Sequence, residues 1–181
     1  MRAGGVATFL GGVSPDSEAE QHLAHQCGRV IGSHGLSLLH GGYNGLMENF
    51  AQGVAESGAE VVAVTLKDKE EWGAFNPHVN RALYLGDLGQ RINTLLSNTD
   101  IVIAMAGGVG TLHEVTAAIW YAGNVRRIPV VLMGSRAARL LAFVRDEKWI
   151  YDSPTRPTDF LSVVQSPDGL DQVLRSNGFV S

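Results

Sequence analysis

A single cysteine among 181 residues cannot close a disulfide within the chain, so Cys27 is no staple and a reducing, cytoplasmic setting is expected. It shares helical spacing with Leu23, Val30 and Ile31, which makes it a small core hydrophobe. Basic residues are also scarce. Eleven Arg and three Lys face 18 acidic groups, for a net charge of −4, and they are scattered along the chain. That excludes the basic stripe on which nucleic acid binding depends. Of the lysines, Lys67 and Lys69 lie in a polar stretch, and neither they nor Lys148 has the setting of a pyridoxal Schiff base. No apolar run approaches the length of a membrane span, and Met1-Arg2-Ala3-Gly4-Gly5 leads into a strand-like run without a cleavage signal. His22 and His25 stand one helical turn apart with no third ligand, so no metal site is expected.

Apolar residues, by contrast, make up 45% of the chain, enough for a sizeable core in one domain spanning residues 1–181. Short β-branched or aliphatic runs alternate with amphipathic helical patterns, the mark of an α/β fold: a Rossmann-like parallel sheet of six to seven strands with helices on both faces. Strands are expected at Val6–Leu10, Leu36–His40, Val61–Leu66, Ala82–Leu85, Ile101–Met105 and Pro129–Met133, with a last short strand and helix near Leu161–Arg175. Ser17-Glu18-Ala19-Glu20 has the form of a capping box before the first helix. Met47, Phe50, Ala51, Val54 and Ala55 form the packing face of the second. A third runs over Gln90–Asn98 and a fourth over Thr111–Ala122. The polar segment Lys67–Asn80 is long for a connection and reads either as a mobile flap or as a surface excursion.

In an open parallel sheet, ligands bind beyond the carboxyl ends of the strands. Three glycine loops fall there: Gly11-Gly12, Gly41-Gly42-Tyr43-Asn44-Gly45 and Gly107-Gly108-Val109-Gly110-Thr111. Successive glycines let backbone N–H groups converge, and a following helix adds its positive end, which suits a phosphate. A tight turn alone also accounts for any one of them. The dinucleotide fingerprint does not fit, because His113 stands where its third small residue belongs and no ribose-binding acid follows the next strand. No cofactor is therefore expected.

Thr111 and Glu114 lie one turn apart at the start of the fourth helix, facing the glycine loop rather than the core. Thr-x-x-Glu is also a capping box, so the pair has two readings. Arg91 opens the third helix one position off its apolar stripe, where it is either a solvated arginine or part of a site.

The run Ala106-Gly107-Gly108-Val109-Gly110-Thr111-Leu112-His113-Glu114 resembles the Pro-Gly-Gly-x-Gly-Thr-x-x-Glu signature of the Lonely Guy family. Gly41-Gly42-Tyr43-Asn44-Gly45-Leu46-Met47 is similar to that family's Gly-Gly-x-x-Gly-Leu-Met loop, and Arg91 precedes Ala106 by the fifteen residues that separate the family's essential arginine from its signature. The resemblance implies a phosphoribohydrolase that cleaves the N-glycosidic bond of a nucleoside 5′-monophosphate, with a cytokinin riboside 5′-monophosphate as one candidate substrate. It assigns catalysis to Arg91 and Glu114. Nucleotide and phosphate binding fall to Gly107, Gly108, Gly110 and Thr111, with Gly11, Gly12, Gly41, Gly42, Gly45 and Met47 in the adjoining loops. It also implies a homodimer. Ala106 replaces the family's proline and Asn93 stands near where many members carry a lysine, the marks of a divergent subgroup. The alternative is a non-catalytic carrier of the same fold, similar to the molybdenum-cofactor carrier proteins. A relative of the DNA-processing protein DprA is a third reading, against which the acidic balance counts.

Overall fold

The computed structural model describes residues 4–14 and 17–179, and Met1–Ala3 lie outside the described residues. Its elements run β1 (Val6–Leu10), α1 (Glu18–Ser33), β2 (Ser37–His40), α2 (Leu46–Ala55), β3 (Val61–Leu66), a short 3-10 turn (Glu70–Trp72), β4 (Arg81–Leu85), α3 (Leu88–Ser97), β5 (Ile101–Ala104), α4 (Val109–Asn124), β6 (Val130–Met133), α5 (Gly134–Asp146), β7 (Leu161–Val164) and α6 (Pro167–Ser176). The strands form one seven-stranded sheet in the order β4-β3-β2-β1-β5-β6-β7, and every neighbouring pair is parallel. This is the Rossmann-like α/β architecture that the alternation of patterns predicts. The order turns back between β1 and β5, which makes their carboxyl ends the switch point of the sheet.

Side chains of successive strand residues point to opposite faces, so each strand feeds two cores. Phe9, Leu38, Val61, Ile103 and Val131 join α1, α2 and α6 on one face. Leu10, Leu39, Val62, Val102 and Leu132 join α3, α4 and α5 on the other. Because both faces are covered, β5 and β6 are apolar throughout rather than alternating. The Phe9 and Phe50 rings stack with centroids 4.2 Å apart. Cys27 is fully buried in the first core, and that burial pushes its thiol up to about 12.

Local chemistry fixes the helix starts. Ser17 caps α1, its hydroxyl accepting from Glu20 N at 3.2 Å, and Asp87 caps α3 by accepting from Gln90 N at 2.8 Å. Gly28 of α1 and Gly53 of α2 let these helices meet backbone to backbone, since a Cβ at either would overlap the facing main chain.

Two features depart from the reading of the sequence, and a third bears on an alternative it left open. Helix α5 follows β6 without a loop and was not foreseen. Helix α4 begins at Val109 rather than Thr111, because Gly108 is extended and serves as its N-cap residue. The 67–80 segment is anchored: Asn76 is buried and donates from N and Nδ2 to Gly42 O at 2.9 and 3.0 Å, and from Nδ2 to Tyr43 O at 2.9 Å. Phe75 packs against both Tyr43 and Tyr84. Among the described residues, no helix is long and apolar enough to cross a membrane.

Candidate active site

At the switch point, the loops after β1 and β5 are joined main chain to main chain. Met105 N donates to Leu10 O at 2.8 Å, and Gly12 N donates to Ala106 O at 3.1 Å. A Cβ on Gly12 would lie 2.6 Å from Gly107 Cα, and one on Gly107 would overlap the Thr111 hydroxyl. Only glycine permits this approach. The loop after β2 closes on the same point, with Leu46 N donating to Gly12 O at 3.0 Å and Gly45, at φ 69°, pressed against Val13. The three glycine loops are thus one assembly.

Their members differ in access. Gly11, Gly12, Gly41 and Gly42 are buried, whereas Gly108 and Gly110 are exposed and open space surrounds the position of a Cβ at each. Met47 is buried, its Sδ close beneath Gly41. Thr111 is the third residue of α4 and nearly buried, so it does not cap the helix, and no side chain does. The leading N–H groups of α4 therefore lack a side-chain partner, the condition under which a helix start receives an anion.

With Thr111 inside the helix, the capping-box reading of Thr111 and Glu114 falls. Glu114 turns instead toward α3. Arg91 Nη1 donates to Glu114 Oε1 at 2.5 Å, and Arg91 Nε donates to Val64 O at 2.9 Å, with both side chains only 12% exposed. Arg91 Nη2 lies beside Gly41. The guanidinium so ties β3 to α4 beside the loop after β2, and the sequence-predicted pair is in direct contact. This is a charge-assisted bond in a largely dry setting, where such bonds are strong.

Two polar groups beneath the loops escaped the sequence reading. His40 ends β2 fully buried; its Nδ1 accepts from Gly42 N at 3.3 Å, and its Nε2 has no partner among the described residues. Burial first, and the nearby charge of His78 second, push its pKa down to about 3, so the ring is neutral. Tyr43 Oη and Thr65 Oγ1 share a hydrogen bond of 2.8 Å. A histidine closing an otherwise apolar strand was the available signal. His113 is exposed to solvent.

A cavity of about 440 Å³ opens on Gly107, Gly108 and Thr111. Its far wall is α5, which contributes Arg136. Arg136 was missed because α5 was missed. The cavity lies on the α5 side of α4, while Arg91 and Glu114 occupy the α3 side, so the open glycines stand between two distinct flanks.

The model of the SLOG cluster4 family matches residues 6–155. The chain is 28% identical to the cytokinin riboside 5′-monophosphate phosphoribohydrolase LOG5 of Arabidopsis thaliana, an alignment covering 96% of this chain and 77% of that protein. Among solved structures, the molybdenum cofactor carrier protein of Chlamydomonas reinhardtii superposes with a TM-score of 0.74 at 21% identity, covering 96% of this chain and 97% of the other. The molybdenum cofactor binding protein of Rippkaea orientalis does so with a TM-score of 0.72 at 24% identity, covering 97% and 98%. At such identities these two establish a shared fold.

Proposed function

The chain belongs to the SLOG cluster4 family, and from that membership we propose that it is a nucleoside 5′-monophosphate phosphoribohydrolase, acting in the cytoplasm as a homodimer. The observation that carries this reading is the Arg91–Glu114 contact beside the open glycines, with Glu114 released from any capping duty. The names of relatives such as LOG5, which extend to cytokinin riboside 5′-monophosphates, support the same chemistry. The exposed Val109 and Leu112 beside the glycines support a subunit contact there.

The 5′-phosphate sits against Gly107, Gly108, Gly110 and Thr111 at the start of α4. Breaking the C1′–N bond leaves positive charge on the ribose, and the Glu114 carboxylate faces that charge. One Glu114 oxygen is held by Arg91 and the other addresses a ribose hydroxyl or the attacking water. Water oxygen bonds to C1′, its proton passes to the departing base nitrogen, and the products are free base and ribose 5-phosphate. Arg91 orients Glu114 and reaches ribose or phosphate oxygens through its remaining donors.

The test is release of ribose 5-phosphate from AMP, GMP, CMP, UMP and an N6-isopentenyl-AMP. Turnover of at least one is expected, with Glu114→Gln lowering kcat by about a hundredfold or more. A second reading, a non-catalytic carrier of a nucleotide-like ligand, draws on one observation: the cavity at the glycines opens toward α5, away from Arg91 and Glu114. Tight monophosphate binding without turnover of any substrate would favour it and refute hydrolysis.

A further inference from the structure

A second cavity, of about 400 Å³, lies beside the first between α4 and α5. Leu132 and Leu140 line both, so the two adjoin along one α4–α5 trough. Its distal end is aromatic: Trp120 on α4, with Trp149 and Tyr151 beyond α5, are 63%, 73% and 54% exposed. Such a concentration of large rings around a concavity is what a planar ligand needs, and the volume falls within the range of small-molecule sites.

The wall that carries Tyr151 is a built turn. Asp152 Oδ1 accepts from Thr158 N at 2.7 Å and from its hydroxyl at 3.1 Å, while Ser153 and Arg156 are bonded backbone to backbone in both directions. Phe143 meets Trp149 edge to face at 5.6 Å and steadies it. A cation lines each end of the trough, Arg136 at the glycines and Arg156 at the rings. Arginine serves both an anionic group and an aromatic face.

Length decides the ligand class. From Thr111 to Trp120 the helix rises about 14 Å. A nucleoside monophosphate whose phosphate rests on the open glycines ends short of Trp120, so the distal rings require something longer.

We infer that the α4–α5 trough is a binding subsite for an elongated nucleotide, with a phosphate at Gly107, Gly108 and Arg136 and a planar ring system among Trp120, Trp149 and Tyr151. This rests on the glycines being a phosphate site, and it does not require hydrolysis. Because the ligand leaves the glycines on the α5 side, its sugar lies away from Glu114, so it competes with a monophosphate substrate without being cleaved.

FAD, as a probe of the class, would be compared with AMP and riboflavin by calorimetry and flavin fluorescence on the full chain. FAD is expected to bind about tenfold more tightly than either fragment. Trp120→Ala and Trp149→Ala, both at exposed positions, should each weaken FAD by about fivefold to a hundredfold and leave AMP unchanged. Normal AMP binding with FAD no tighter, or FAD indifferent to both tryptophan variants, overturns the trough alone. Failure of AMP to bind, with riboflavin as tight as FAD, overturns the phosphate site and the elongated ligand together. Burial of Trp120 in a dimer that excludes FAD, seen as concentration-dependent tryptophan emission, also refutes it.

Discussion

Replacing Arg91 with methionine preserves much of the side chain's length and removes its charge. Two bonds go: Nη1 to Glu114 Oε1 at 2.5 Å and Nε to Val64 O at 2.9 Å. What remains is a carboxylate with 12% exposure and no counter-ion. Stripping one partner from a fully buried pair costs about 3–5 kcal/mol, whereas an exposed pair contributes about 0–1 kcal/mol. The small exposure places this pair nearer the buried limit, at about 2–4 kcal/mol. Glu114→Gln, which retains an acceptor and removes the charge, costs about 1 kcal/mol. The sign of the combination is the sharper expectation: adding Glu114→Gln to Arg91→Met should stabilise the chain, because the stranded charge disappears. With a urea slope of about 2–3 kcal/mol per molar, Arg91→Met lowers the midpoint by about 1 M and the double variant recovers about half of that. Equilibrium urea unfolding followed by circular dichroism measures both. A double variant less stable than Arg91→Met, or a midpoint for Arg91→Met within about 0.2 M of the native one, would refute a dry, coupled pair.

Gly12→Ala and Gly108→Ala should separate packing from binding. A Cβ at position 12 collides with Gly107 and should cost about 1–3 kcal/mol, while one at position 108 enters open space at φ −81° and should cost only the poorer cap, about 0.5 kcal/mol, while weakening AMP binding in calorimetry. His40 gives the chain an acid-sensitive limb. Its folded pKa of about 3 lies below its ordinary 6.5, so its contribution is present above 6.5 and is lost as pH falls toward 3. Between pH 6 and 5, before the carboxylates titrate, stability should fall by up to about 1.4 kcal/mol per pH unit in the native chain, and urea midpoints of His40→Gln should lack that slope.

The strands were legible because a strand covered on both faces is written as an unbroken aliphatic run, as in Ile101–Ala104 and Val130–Met133. Helix α5 was not, because it starts at Gly134 directly from β6 and has no side-chain cap to announce it. Thr111-x-x-Glu114 matched a capping box, yet Gly108 took the cap and drew Thr111 into the helix, which no local pattern distinguishes. Motif spacing brought Arg91 and Glu114 to attention, but their contact joins two helices and is a property of the assembled sheet. Composition could not tell the buried glycines at 11, 12, 41 and 42 from the open ones at 108 and 110.

The meeting of Gly12 with Gly107 joins two loops that are remote in sequence and adjacent only when β1 lies beside β5. No fragment containing one loop without the other reproduces that surface, and a locally unfolded chain loses it at once. An anion that binds there therefore recognises the closed sheet as a whole. Mass action would then spread its binding energy over the entire cooperative unit, so that phosphate ligands slow hydrogen exchange as far away as β4 and β7.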